Sequence, residues 1–354
     1  MKIILISPLP PPAGGMACWT QRYLESEQAQ ANQVLLIDIA VIGSRIQQVA
    51  KRNIFQEVKR TRKIIRQLND YLMNNEIDIV HINTSGGQFG LVRDYICAKT
   101  AQKSGCKVVL HCHCDVSYRV KNQFAEFYYR RLVAWSDQVI TLNEKSHEFT
   151  FRKCGRESII LPNFLPEKMV NELRTRTQIN EKINNCLYVG NVTKEKGCDL
   201  IVEVAQIIPD MTFTLVGLVS DEIDRMVKPN NVVLTGEMEH ERVIEHMLKA
   251  DLFLFPSLAE GFPLVILEAM ACGLPVVSTP VGAIPDMIGE QGGTMVEIGD
   301  STGFAAAIKT LAANSSVYRA MSEWNCDKVR NDYAENMVLD SLFGEYAQIV
   351  NSKG

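Results

Sequence analysis

The sequence predicts an α/β protein made of two doubly wound domains, each built on a parallel sheet. Three observations predict it. The chain has 354 residues, enough for two domains at roughly 100–200 residues each. Short runs of Val, Ile and Leu alternate with longer stretches of helical period from end to end. Many of those runs are continuously apolar, as in Asp251-Leu-Phe-Leu-Phe255 and Lys107-Val-Val-Leu110. Continuous apolar runs mark strands buried on both faces, as parallel strands are.

Taken in order, the strand candidates of the first half are 2–7, 34–40, 77–82, 107–113, 137–142 and 157–161. Those of the second half are 184–190, 211–217, 231–235, 251–255, 275–278 and 293–297. Leu161-Pro-Asn-Phe-Leu-Pro166, with its two prolines, is the natural boundary. The expected domains are therefore 1–165 and 166–330, with 331–354 a C-terminal helical arm packing back towards the first. Two such domains facing each other would form an interdomain cleft, and ligands would bind beyond the carboxyl ends of the strands.

The net charge of −4 conceals an asymmetry. Residues 1–165 hold 22 Lys and Arg against 14 Asp and Glu, whereas the remainder holds 15 against 27. A basic first half and an acidic second half predict different partners for the two domains. No zinc-finger spacing, RNA-recognition motif or heptad basic region is present, so no nucleic-acid partner is expected. No apolar run approaches a membrane span, and the N-terminus reads as a first strand rather than an export signal. The ten cysteines include no Cys-x-x-Cys pair. The expectation is a cytoplasmic protein with buried thiols.

Chemistry is expected in four loops. After the strand at 251–255 comes Glu260-Gly261-Phe262-Pro263-Leu264, leading through Glu268 to Gly273. Pro263 suits a first helical turn, where its missing N–H has no partner to lose, and Gly273 suits the stop. The free N–H groups of that turn and the helix dipole make a place for phosphate. Glu268 is the only charged residue within 264–271. A lone carboxylate in an apolar helix needs a partner. Ribose hydroxyls and a neighbouring backbone or cationic group fit that need equally well.

The second loop, Gly190-Asn191-Val-Thr-Lys-Glu-Lys196-Gly197, places Lys196 at the start of a helix. The dipole opposes a cation there, so Lys196 serves a bound anion or is simply solvated. The third loop carries Gly14-Gly15, which let a backbone approach an anionic ligand. The fourth is Leu110-His111-Cys112-His113-Cys114. On a strand the two histidines share one face and the two cysteines the other, so no metal site is expected. His113 is placed to hydrogen-bond a substrate, while His111 suits a satisfied core histidine.

The sequence has no Gly-x-Gly-x-x-Gly with its acidic partner, no P-loop and no Asp-x-Asp. Taken together, Glu260-x7-Glu268 with its continuation to Ile288, the Gly190–Gly197 turn, the Gly14-Gly15 loop and His113 resemble the retaining glycosyltransferases of family GT4, which have the GT-B fold. The resemblance runs over nearly the whole chain and is weaker in residues 40–75.

It implies a metal-independent hexosyltransferase that moves a sugar from a nucleotide-sugar, UDP favoured, with retention of configuration. The acceptor it implies is a glycan or a lipid-linked species in bacterial surface-polysaccharide synthesis. Glu268 would bind the ribose. Glu260, Gly261 and the backbone of Phe262, Pro263 and Leu264 would hold the sugar and distal phosphate. Lys196, beside Gly190 and Asn191, would neutralise the leaving diphosphate. Gly14 and Gly15 would approach that phosphate, and His113 would orient the sugar. Asn191 stands where that family usually has Arg, which removes one cation, and Lys194 is the available substitute. A nucleotide-sugar 2-epimerase of the same fold, or a non-enzymatic two-domain binding protein, are the alternatives.

A peripheral contact with anionic membrane is also expected of the first domain. Ile54, Val58, Ile65, Leu68 and Leu72 fall at helical spacing and should face the core, leaving Arg52, Lys59, Arg62, Lys63 and Arg66 around the rest of the helix. Residues 119–131 add aromatics beside cations, a combination suited to a headgroup interface.

Overall fold

The structure, a computed structural model, describes residues 1–11, 14–41, 54–173 and 183–352. It divides into two compact units, one of residues 1–163 with 335–354 and the other of residues 164–334. Each unit holds a six-stranded, fully parallel sheet.

The first sheet contains β1 (Lys2–Ser7), β2 (Gln33–Asp38), β3 (Ile79–Thr84), β4 (Lys107–Cys112), β5 (Gln138–Thr141) and β6 (Ile159–Ile160), in the order β2-β1-β3-β4-β5-β6. The second contains β7 (Asn185–Val189), β8 (Thr212–Val216), β9 (Val232–Gly236), β10 (Leu252–Phe255), β11 (Val276–Ser278) and β12 (Gly293–Met295), in the order β12-β11-β10-β7-β8-β9. In each sheet the winding reverses once, between β1 and β3 in the first and between β7 and β10 in the second. In open parallel sheets ligands bind beyond the carboxyl ends of the strands at such a reversal.

At the amino ends of β1, β4 and β7 backbone amides donate to carboxylates. The Asp78 carboxylate accepts the Lys2 amide at 2.7 Å, Asp137 accepts that of Val108 at 2.8 Å, and Asp251 accepts those of Asn184 and Asn185 at 2.8 and 2.9 Å. Those four donors are thus satisfied without water.

Helices cover both faces. The helix Ile54–Asn74 buries Ile64 and Leu68 on the first sheet, with Ile65 and Leu72 half-buried beside them. Ile54 and Val58 do not face the core: they are 63% and 44% exposed, and Phe55 between them is 84% exposed. The helix follows the carboxyl end of β2, and its apolar stripe meets the sheet only from its third turn. Arg52 lies outside the described residues. Residues 315–351 form two helices, Ser315–Asp332 and Glu335–Asn351, and the chain passes from the second unit to the first between them. Where the second unit begins and ends, the Leu165 amide donates to the Tyr333 carbonyl at 2.9 Å. All ten cysteines are free thiols, seven of them buried.

Candidate functional site

In the second unit, adjacency of β7 and β10 decides what meets. The loop after β7 and the loop after β10 share a backbone contact, with the Leu258 amide donating to the Glu195 carbonyl at 3.2 Å. Gly197 makes the approach possible. It has φ of 71°, and a Cβ there would lie 2.1 Å from the Pro256 carbonyl oxygen. Only glycine adopts that angle cheaply, and only a missing side chain leaves that space.

Across this contact the Lys196 ammonium meets the Glu260 carboxylate at 2.5 Å. Both side chains are mostly enclosed, at 27% and 12% exposure. Lys196 does not start the α-helix: it ends a short 3₁₀ turn, Lys194–Lys196, ahead of the helix Cys198–Ile207. The Thr193 hydroxyl accepts the Lys196 amide at 3.3 Å and fixes that turn. Lys194 points elsewhere, to an exposed pair with Glu222 at 2.6 Å. Gly190 donates its amide to the Val216 carbonyl at 2.9 Å, and the Asn191 carbonyl accepts the Tyr188 hydroxyl at 2.8 Å.

The Glu260–Leu264 segment is held from behind. The Ala283 amide donates to the Gly261 carbonyl at 2.9 Å, and a Cβ on Gly282 would lie 2.4 Å from the Glu260 carbonyl oxygen. Phe262 turns inward, its ring edge-on to Tyr333 with centroids 5.8 Å apart. Pro263 caps the helix Leu264–Ala271 rather than opening its first turn. Five residues past Pro263, Glu268 is buried at 4% exposure. The sequence offered a backbone group, a cation or a sugar as its partner, and the structure supplies His240, whose Nε2 lies 3.1 Å from Oε1. His240 was missed because nothing in its local sequence marks it: it is 28 residues away and starts the helix that follows β9. Its side chain is half-exposed, so the pair sits at the rim of the site with the carboxylate on the inside.

In the first unit the candidates gather around Trp19. Gly14 caps the helix Gly15–Glu25 in extended backbone, and a Cβ on Gly15 would meet nothing within 4 Å, so the start of that helix is open on that side. Trp19, one turn on, packs on His81, His111 and His113 with ring centroids 5.8, 5.3 and 4.9 Å away. His111 and His113 lie 4.0 Å apart on the histidine face of β4, and Cys112 and Cys114 join the core cluster on the other face.

His111 is buried, but it is not the satisfied core histidine expected. Among the described residues neither of its ring nitrogens has a hydrogen-bond partner, and the same holds for His113. Burial, with smaller contributions from the neighbouring histidines, pushes His111 well below the usual histidine range. Burial and then His81 bring His113 down to about 3, and burial brings His81 down to about 4. All three are neutral at pH 7, so His113 offers an imidazole N–H or lone pair, not a charge. His81 is tied by Nδ1 to the Tyr346 hydroxyl at 2.5 Å and by Nε2 to the side-chain Oδ1 of Asn83 at 2.8 Å. Among the described residues no group of three or more His, Cys, Asp or Glu is placed to hold a metal ion.

The sites of the two units correspond in position, each beyond the carboxyl ends of its sheet at the reversal of winding. Residues 183–314 match the family described as Glycosyl transferases group 1. The matched residues lie within the second unit. That segment spans β7 to β12 and contains Lys196, Glu260 and Glu268.

Relatives extend the likeness. The N-acetyl-alpha-D-glucosaminyl L-malate synthase of Bacillus anthracis is 25% identical over 85% of this chain and 81% of that one. A putative teichuronic acid biosynthesis glycosyltransferase of Bacillus subtilis is 26% identical over 51% of this chain, and the match spans about half, 48%, of that relative's length. Among solved structures, Anabaena HepE in complex with UDP superposes with a TM-score of 0.74 at 18% identity, over 98% of this chain and all of that one. The fold is therefore the two-domain Rossmann-like GT-B fold.

Proposed function

We propose that this chain is a glycosyltransferase that moves a sugar from a nucleotide-sugar, UDP-sugar favoured, to a glycan or lipid-linked acceptor in surface-polysaccharide synthesis. The observation that carries the reading is the Lys196–Glu260 pair at the winding reversal of the second sheet, one short helix away from the buried Glu268. The group 1 match over the same residues and the UDP in the HepE complex support it.

Glycosyl transfer expels a nucleoside diphosphate, so negative charge grows on the departing phosphate as the sugar acquires oxocarbenium character. Lys196 supplies a positive charge there. The N-terminus of the helix Leu264–Ala271 supplies N–H donors and a dipole of the same sign. Glu260, ion-paired to Lys196, holds the ammonium in place and offers its second oxygen to a sugar hydroxyl. Glu268 accepts from the ribose hydroxyls and His240 closes the rim. His113, neutral, orients the transferred sugar, and Gly14-Gly15 let the backbone approach the phosphate.

No metal is needed for charge neutralisation in this scheme, and retention of configuration follows the GT4 resemblance. The protein acts in the cytoplasm against the membrane's inner face, where the exposed Ile54, Phe55 and Val58 and the cations that follow them on the same helix meet anionic lipid.

Incubation with a panel of nucleotide-sugars in EDTA tests the reading. Release of nucleoside diphosphate from one UDP-sugar, accelerated by a glycan acceptor, is the expected result. Failure to bind any nucleotide-sugar would sink it. Activity lost in EDTA and restored by Mn²⁺ would overturn metal independence alone, and release of a free 2-epimerised sugar would establish the epimerase instead.

A further inference from the structure

A line of buried polar side chains crosses the first unit. Tyr346, on the helix Glu335–Asn351, has its hydroxyl 2.5 Å from His81 Nδ1, and His81 Nε2 lies 2.8 Å from Asn83 Oδ1. Asn83 Nδ2 donates to the Ser7 hydroxyl oxygen at 2.8 Å, and Ser7 Oγ lies 2.5 Å from Thr20 Oγ1. The Thr20 hydroxyl donates to the Met16 carbonyl at 2.8 Å. All five side chains are fully buried. The line joins the carboxyl-terminal helix, through β3 and β1, to the first turn of the helix Gly15–Glu25.

Each link needs one proton, and the supply of protons fixes its direction. Thr20 spends its only proton on Met16, so Ser7 must donate to Thr20, and Ser7 Oγ must accept from Asn83 Nδ2. With the Asn83 amide turned over, Ser7 would owe its proton to two acceptors and one contact would have none. Asn83 Oδ1 therefore faces His81, which is neutral at pH 7 and must carry its proton on Nε2. Nδ1 is then a lone pair, and the Tyr346 hydroxyl donates to it. Every donor from Tyr346 to Thr20 points towards the helix Gly15–Glu25. A buried network whose members are all satisfied admits one arrangement, and losing one donor leaves an acceptor that water does not reach.

The line ends where the donor's phosphate is assigned. Met16 is the second residue of a helix whose start, Gly14-Gly15, is given that role, and Gly14 caps the helix without a side-chain hydrogen bond. His81 also stacks on Trp19, which packs on His113, the residue assigned to the sugar.

We propose that Tyr346 is a positioning residue for the phosphate-facing start of the helix Gly15–Glu25 and acts through His81, Asn83, Ser7 and Thr20. The proposal rests on the glycosyltransferase reading and adds to it the residues that hold the glycine loop in place.

Calorimetric titration of the full chain with UDP and with UMP tests it, because only UDP carries the distal phosphate. Tyr346→Phe keeps the ring and removes the first donor. It should weaken UDP binding about tenfold and leave UMP binding unchanged. Thr20→Val, an isosteric cut at the other end, should do the same, whereas Thr20→Ser, which keeps the hydroxyl, should bind UDP as wild type does. The double variant Tyr346→Phe/Thr20→Val should lose no more than the weaker-binding single variant, since both break one line. Long-range ¹⁵N NMR on histidine-labelled protein should find His81 with its proton on Nε2. Circular dichroism and melting temperature check folding, and if Tyr346→Phe does not fold the Thr20 pair decides. UDP binding unchanged in the folded variants would overturn the proposal, as would UDP and UMP weakened alike. So would losses that multiply in the double variant, a proton on His81 Nδ1, or wild-type protein that binds UMP as tightly as UDP. Wild-type protein that binds neither nucleotide would sink the UDP-sugar reading instead, and the His81 proton would still judge the line of donors.

Discussion

Glu268 and Lys196 are assigned to different parts of the same donor, so they should fail differently when removed. Glu268 is assigned to the ribose, away from the bond that breaks, so it contributes equally to the bound donor and to the transition state. Glu268→Ala should weaken UDP binding by about 10- to 150-fold, the equivalent of one charged hydrogen-bonding partner at ~1.5–3 kcal/mol, and leave turnover nearly unchanged. Calorimetric titration with UDP checks this, and unchanged affinity in a folded variant would remove the assignment. Lys196→Ala should instead lower turnover more than it raises the Michaelis constant, because the charge it faces grows during reaction. A residue of this kind is legible in sequence when its chemistry is out of place, as one carboxylate in an apolar helix is. His240 was not legible, because a long-range pairing leaves no local trace. The four unpaired nitrogens of His111 and His113 were not legible either, since alternation along a strand gives the face a side chain takes but not what it meets there.

Loops built on glycine carry the geometry at the scale of elements, and one of them offers a controlled test. Gly282 has φ of 58° and its missing Cβ leaves room for the Glu260 and Gly261 carbonyls; Gly299 has φ of 84° and nothing within 4 Å. Ala at Gly299 should cost only the left-handed backbone, ~1–2 kcal/mol. Ala at Gly282 should cost more, because it also displaces the Glu260 loop, and it should weaken UDP binding where Gly299→Ala does not. Chemical denaturation and UDP titration of the two variants compare them directly. Equal losses would mean that the loop yields without moving Glu260. The strands themselves were readable because a strand buried on both faces is written as an uninterrupted apolar run. The start of Ile54–Asn74 was misread for the converse reason. Periodicity says which residues share a stripe, but not how far the sheet beneath them extends, and Ile54 and Val58 lie on the stripe past its edge. The turn at Lys196 was read as helix because 3₁₀ and α turns share their opening residues.

At the scale of the whole molecule, the misread stripe gives the membrane prediction its physical basis. The helices Ile54–Asn74 and Gln123–Ala134 each follow the carboxyl end of a strand in the same parallel sheet and run back antiparallel to it, so their first turns lie at one end of the first unit. Those turns expose Ile54, Phe55 and Val58 on one helix and Phe124 and Phe127 on the other. Lys59, Arg62, Lys63 and Arg66 are exposed behind the first group, and Arg130 and Arg131 behind the second. Apolar tips flanked by cations suit the boundary of an anionic bilayer, and none of the described helices is long and apolar enough to cross one. Each cation near the surface contributes ~1 kcal/mol, and the attraction decays over a Debye length of ~8 Å at physiological salt. The protein should therefore co-sediment with phosphatidylglycerol vesicles, stay in the supernatant with neutral ones, and be largely released by high salt. Replacing Lys59, Arg62, Lys63 and Arg66 with Gln should abolish sedimentation at physiological salt without changing UDP affinity, because the nucleotide is assigned to the other unit. Phe55→Ser should spare the electrostatic capture and remove whatever binding survives high salt. Wild-type protein that ignores anionic vesicles at low salt would assign the basic surplus of the first half to another partner, and the exposed aromatic tips with it.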